Sequence, residues 1–377
     1  MSSERIVSKK VICAGHICLD ITPVFDDRRT FCSITEILEP GKLIQMNGVS
    51  VHTGGSVANT GLAMRILKND MRLMGKTGDD AFGRIIRDIL AGYGTGGLLV
   101  EKGAVTSYSV VLAVPGMDRI FLHDPGANDS FSTEDIPWGE ITDTALFHFG
   151  YPPLMKQMYA NDGEMLSSMF RRLKENGIAT SLDLAAIDPQ SPAGKADWQM
   201  ILANSLPYTD FFLPSFEELC WILDRDAWTE LSSCGGDMTE KLDIEKYARP
   251  LAERCIGMGC GAVILKCGVS GMFCKTSGLE RMLRIGRNLG LDAELWADKE
   301  KVQPCFEAET VRSASGSGDV SIAAYLTAML EGESPDRCAA LAAAEGAASV
   351  AAYDALGGIL PLDELAHRID AGWKTKE

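Results

Sequence analysis

The sequence predicts an α/β fold, doubly wound around a mostly parallel sheet with helices on both faces, and three observations carry that prediction. Apolar strand-like runs alternate with helical ones along most of the chain, the pattern of a parallel sheet buried on both sides. Two early stretches, 22–51 and 107–122, break the alternation. With Pro115-Gly116 as a turn in the second, they read as β hairpins, which are poor crossovers between parallel strands. Finally, 377 residues at 46% hydrophobic content can bury a large core, as one domain with an appendage or as two.

Strands are expected at 11–13, 71–74, 145–149, 178–182, 211–213 and 262–265, each a short apolar run of the length a doubly covered strand needs. Between them lie helical patterns at 57–67, 82–90, 165–175, 216–223 and 244–255. In the first of these, Val57, Leu62, Ile66 and Leu67 fall on one face. Two late helices, 320–330 and 336–352, close the fold. The alanine-rich stretch 339–352 reads as a tightly packed buried helix. The polar stretch 277–309 is longer than a bare connection requires and suggests a β excursion of its own.

The most informative segment is Ser313-Ala-Ser-Gly-Ser-Gly-Asp319, which runs straight into the apolar helix at 320–330. A Gly-Ser-Gly turn opening a helix presents unpaired backbone N–H groups beside the positive end of the helix dipole, an arrangement that suits a phosphate. Asp319 at its mouth adds negative charge to an anion site. It is therefore easier to explain as a base acting on a bound hydroxyl than as a binding group; the competing account is an ordinary N-cap. Far upstream, His52-Thr-Gly54-Gly55-Ser-Val-Ala-Asn59 opens another helix. Adjacent glycines allow close backbone approach, and Asn59 can donate to and accept from hydroxyls. That chemistry fits a sugar, although a Gly-Gly helix start is also common turn chemistry.

In order, the motifs are Gly15-His-Ile-Cys-Leu-Asp20, Gly54-Gly55 with Asn59, Gly75-Lys-Thr-Gly78-Asp79 with Phe82-Gly83, Gly126-Ala-Asn128, Pro214-Ser-Phe-Glu-Glu218, Leu265-Lys-Cys-Gly268-Val-Ser-Gly271 and Gly316-Ser-Gly-Asp319. This ordered set resembles the ribokinase-like (PfkB) carbohydrate kinases over nearly the whole chain. The resemblance implies a single kinase domain over 1–377 with lid elements inserted at about 22–51 and 107–122. It also implies a γ-phosphoryl transfer from ATP, with Mg²⁺, to a hydroxyl of a sugar or sugar-like substrate. Asp319 would then be the base, and the amides of Gly316, Ser317 and Gly318 the anion hole. Asp20, Gly54, Gly55, Asn59 and Asn128 match substrate-side positions of the family. Lys266, Gly268 and Gly271 match its ATP side, where the rival account is a β-turn between two strands. Glu218 matches a glutamate that acts near Mg²⁺ through water.

Three departures from the family pattern matter. Ser215 replaces the Asn of an Asn-x-x-Glu motif. Ser313-Ala314 stands where Asp-Thr is usual, which leaves the monovalent-cation requirement of relatives open here. The central strand keeps only Asp183 of Asp-x-Asn-x-Arg, and without that Arg a phosphorylated sugar loses a natural contact. The same resemblance implies that lid strands can pair two subunits into a homodimer.

Other classes fit less well. A net charge of −16 argues against nucleic-acid binding, since no basic run appears. The eleven cysteines form no CxxC pair and lack histidines at metal-ligand spacing, so they read as small hydrophobes in a reduced, cytoplasmic setting. Residues 1–10 only superficially look like a leader, and no apolar run reaches the ~20 residues a membrane span needs. No GxGxxG follows the first strand, against a dinucleotide oxidoreductase. Two alternatives stay open: a nucleoside kinase of the same fold, with Phe25, Phe31 or Phe121 stacking a base or forming lid core, and a non-catalytic sugar sensor.

Overall fold

A computed structural model describes residues 9–376 except 27–30, 32, 95–96, 116, 118, 234–235, 241 and 353. The opening residues 1–8, Gly116 of the expected turn, Cys32 and Cys234 thus lie outside the described residues.

The main sheet has eight strands in the spatial order Glu300–Gln303, Met272–Thr276, Ala262–Lys266, Phe211–Phe212, Ala179–Asp183, Leu146–Gly150, Lys10–Gly15 and Asp70–Met74. The six from Ala262–Lys266 onward run parallel, and the two at the other edge are antiparallel. Alternate residues of one strand enter different cores: Val11 and Cys13 pack on one face, Ile12 and Ala14 on the other. This explains the unbroken apolar runs, because both faces of each central strand are withdrawn from water. Helices Ser56–Ile66, Ser317–Leu330 and Pro335–Ser349 cover the first face. Helices Glu164–Glu175, Trp198–Ser205, Phe216–Leu223 and Arg249–Gly257 cover the second.

The last two helices of the first face pack closely on each other. Ala339, Ala342 and Ala344 are fully buried, and a side chain at Gly346 would collide with Ser321. Small residues let the two backbones approach, so the alanine-rich composition is a packing requirement as well as a helix propensity.

The second sheet differs from expectation in its boundaries. Its four strands, in the order Val49–Gly54, Cys18–Pro23, Tyr108–Leu112 and Ile120–Asp124, form two antiparallel pairs joined by a parallel one. The first hairpin therefore begins at Cys18, and most of 22–51 is its long connection, which carries the short 3₁₀ turn Ile34–Glu36. Phe25, Ile37 and Val114 form a small core under it. The stretch 277–309 supplies two short helices, Leu279–Met282 and Ala293–Trp296, before its one strand joins the edge of the main sheet.

Candidate active site

From Lys10–Gly15 the chain goes to Asp70–Met74 on one side and later to Leu146–Gly150 on the other. Strand order therefore reverses between Lys10–Gly15 and Leu146–Gly150, and ligands of open α/β sheets bind beyond the carboxyl ends of strands at such a point. The residues that follow or end the parallel strands there are His16, Tyr151, Asp183 and Lys266.

The helix Ser317–Leu330 starts one turn earlier than its apolar pattern suggests, with Gly316 as N-cap at φ 73°. Asp319 therefore lies inside the first turn and is 5% exposed. Four bonds from three side chains fix its carboxylate. Asn59 Nδ2 donates to Oδ2 at 3.0 Å and Thr60 Oγ1 to Oδ1 at 3.0 Å. The Tyr151 hydroxyl sits against both oxygens, at 2.9 and 2.8 Å. Two helix starts some 260 residues apart in sequence are thereby joined at one carboxylate.

Of the three expected anion-hole amides, that of Ser317 is engaged in closing the turn, donating to the Ala314 carbonyl at 3.3 Å. The first-turn amides of Gly318 and Asp319 have no helical acceptor by geometry. Asp20 belongs to the small sheet, and a Cβ at Gly54 would fall on its carboxylate. The glycine thus permits the closest approach of that backbone to Asp20. Burial pushes the Asp20 carboxyl up, with the charge of Asp319 acting in the same direction. The Cys18 thiol and Ser109 hydrogen-bond to it and oppose the rise. Gly55, at φ 83°, caps the helix Ser56–Ile66 against His16.

Lys266 ends its strand beside Gly318 and donates to Asp183 Oδ1 at 2.7 Å. Burial works against the Lys266 ammonium, but Asp183, Glu218 and Asp319 outweigh it and hold it charged. Burial, with Glu218 and Asp319 behind it, pushes the Asp183 carboxyl up against the pull of Lys266.

Four expected residues are engaged in contacts within the protein itself. Asn128 is fully buried and its amide is bonded to backbone: Oδ1 accepts from Ile17 N, and Nδ2 donates to the carbonyls of Ile17 and Pro125. It clamps the link between the first strand and the small sheet, which accounts for an Asn there. Gly268 and Gly271, at φ 51° and 96°, close the hairpin between Ala262–Lys266 and Met272–Thr276. A Cβ at either would strike Thr239 or the backbone of Gln303, so internal packing already requires glycine at both. Glu218 completes a capping box with Ser215, its Oε2 accepting from Ser215 N at 2.8 Å. The serine that replaces the motif's Asn is thus a helix cap.

Tyr151 and Thr60 escaped the sequence reading. Thr60 adjoins Asn59, and Tyr151 follows the strand-ending Gly150; a polar residue just past a strand's carboxyl end was the available signal. Of the aromatic candidates for stacking a base, Phe25 is buried against Phe31 and Phe121 is 55% exposed.

A carboxylate in the first turn of a glycine-opened helix near the switch point of a parallel sheet, with a lysine nearby, is chemistry suited to phosphoryl transfer. The chain belongs to the pfkB family of carbohydrate kinases, whose family model matches residues 8–360. It is therefore an enzyme, a carbohydrate kinase. It is 26% identical over 290 residues to an uncharacterized sugar kinase of Archaeoglobus fulgidus, covering 76% of this chain and 93% of that one. A fructokinase-1 of Zea mays is 32% identical over 101 residues, which span 26% of this chain and 31% of that one. The fold superposes on Arabidopsis thaliana ribokinase, complexed with ribose and ATP, with a TM-score of 0.69 at 19% sequence identity, covering 96% of this chain and 98% of that one.

Proposed function

We propose that the protein transfers the γ-phosphoryl group of ATP to a hydroxyl of a sugar or sugar-like substrate, with Asp319 as the base. The observation that carries this reading is the meeting of Asn59, Thr60 and Tyr151 on Asp319, which ties the glycine-pair helix to the anion loop. One small molecule reaching both Asp20 and Asp319 would bridge the small sheet and the helix that opens at Gly316.

The side chains fit a polyphosphate: a charged Lys266 lies beside the Gly318 backbone, at a helix start whose first-turn amides face no helical acceptor. Among the described residues no group of three or more His, Cys, Asp or Glu could hold a metal ion. A Mg²⁺ ion would be held here mainly through the phosphates and water, with Glu218 as the outer contact. The ion supplies charge neutralisation on the transferring group. Asp319 accepts the proton of the acceptor hydroxyl as its oxygen attacks in line, while the Gly318 amide and Lys266 stabilise charge on the phosphoryl oxygens. The small sheet, bearing Asp20, closes over the acceptor and excludes competing water.

Val49, Phe121 and Leu122 are apolar, more than half exposed and on the small sheet. They support a homodimer through that sheet. The nine described cysteines are unpaired, which supports a reducing compartment.

An ADP-release screen over free pentoses, hexoses, keto-deoxy acids and nucleosides tests the acceptor class, and turnover of nucleosides alone would replace the sugar. With the best acceptor, Asp319→Asn is expected to lower kcat at least ~100-fold with ATP binding retained. Near-normal turnover in that variant removes Asp319 from the role.

A further inference from the structure

Tyr151 is oriented with unusual force. It sits at φ 67°, ψ 43°, a left-handed conformation that non-glycine residues seldom adopt. Its backbone is held there from both sides: Tyr151 N donates to the Asp183 carbonyl at 3.3 Å, and Leu154 N donates to the Tyr151 carbonyl at 3.0 Å. Pro152 and Pro153 follow and restrict the chain further. The result is a sharp turn off the end of the strand Leu146–Gly150 that delivers the phenol to Asp319. The ring is stacked on His16, with centroids 6.0 Å apart and planes 28° from parallel, and His16 in turn meets His123 of the small sheet at 5.0 Å.

We propose that Tyr151 is a positioning residue, whose hydroxyl locks the plane of the Asp319 carboxylate so that one lone pair faces the acceptor. This rests on Asp319 as the base. A carboxylate has about four acceptor directions. Asn59 takes one on Oδ2, Thr60 takes one on Oδ1, and the phenol, with its single proton, bridges the face shared by both oxygens. Because that one proton can serve only one of the two oxygens at a time, the other keeps a lone pair to which an acceptor hydroxyl can donate. Burial, then the charges of Asp319 and Asp183, push the phenol's ionisation well up, so Tyr151 remains a donor. A fixed base geometry is what converts a bound alcohol into a reacting one, and small misplacements of such a group are costly.

The test is a double-mutant cycle of Y151F and D319N, read as ADP formation with a panel acceptor, with melting temperature alongside. Y151F removes a single oxygen atom and is expected to lower kcat about ten- to fiftyfold, with KM for ATP and acceptor within about threefold. In the D319N background the same change should alter residual turnover less than about twofold, because the group it positions is no longer a base. Equal losses in both backgrounds, an unchanged kcat, or a rise in KM with kcat preserved overturns the proposal. If D319N turnover falls below detection, the division between KM and kcat in Y151F alone decides. Normal turnover in D319N is a different failure, that of the base itself.

Discussion

The main sheet carries a buried aspartate paired with lysine at each of its ends, and the two are finished differently. Asp210 precedes Phe211–Phe212, at the amino end, and is fully buried. It accepts from Lys174 at 2.6 Å, from Arg281 at 3.0 Å and from the backbone amides of Thr180 and Gly286 at 3.1 and 3.2 Å. Asp183 ends its strand at the carboxyl end and is bonded to Lys266, with Glu218 and Asp319 as like-charged neighbours. At Asp210 two cations and two amides answer one carboxylate. At Asp183 one cation answers several carboxylates. The first arrangement joins the strands and the 277–309 segment, and its charges are fully committed. The second leaves one cation among several carboxylates at the carboxyl ends of the strands, where ligands of such sheets bind.

Removing the committed carboxylate should therefore have the largest effect on the fold. Asp210→Asn leaves Lys174 and Arg281, both largely buried, without a counter-charge, and breaking a buried pair costs about 3–5 kcal/mol. Urea denaturation should show that loss, while the folded fraction keeps its turnover per molecule. A stable Asp210→Asn protein with impaired catalysis would break the contrast between the ends.

Lys266→Met is the complementary change. The Asp183 carboxyl, already pushed up by burial, can take a proton once the ammonium is gone, so the melting temperature should move only a few degrees. Catalysis should suffer more: kcat/KM for ATP is expected to fall about 100-fold, the scale of losing one charge-stabilising group. A large stability loss with unchanged ATP kinetics would make Lys266 a structural cation like Lys174.

Legibility in the sequence follows the same division. Central strands were readable because residues such as Ile12, Phe147 and Phe211 are buried whichever way they point. The antiparallel strand Met272–Thr276 and its edge neighbour Glu300–Gln303 carry Lys275, Glu300 and Lys301, which cut their apolar runs short. Asp319, Asn59 and Lys266 stood out because each sits next to glycines at the start or end of an element. Tyr151 offers only its place just past a strand's end; its part depends on a left-handed backbone and a contact 168 residues away, both products of tertiary folding. Asn128 shows the converse. A loop Asn looks available for a ligand, and only burial reveals that its amide is bonded to the chain itself.

Glu345 offers the smallest and most specific test, since it is a further buried carboxylate and no cation pairs with it among the described residues. It lies in the helix Pro335–Ser349, fully buried, and both oxygens accept from Leu360 N at 3.3 Å. Burial pushes its carboxyl up to about 8; the Leu360 amide opposes this, and Glu364 adds to it. The unfolded chain ionises this group near its ordinary value of 4.5, whereas the native protein holds the proton until about 8. Between those values the unfolded state binds fewer protons, so native stability falls as pH rises. Below about 4.5 both states are protonated and the cost vanishes. Glu345→Gln keeps an acceptor for Leu360 N and cannot ionise. It should match the wild type near pH 4 and exceed it by about 1–2 kcal/mol near pH 8. Equal denaturation midpoints at both pH values would show that a compensating charge reaches Glu345, and would place it with Asp210 among the satisfied carboxylates.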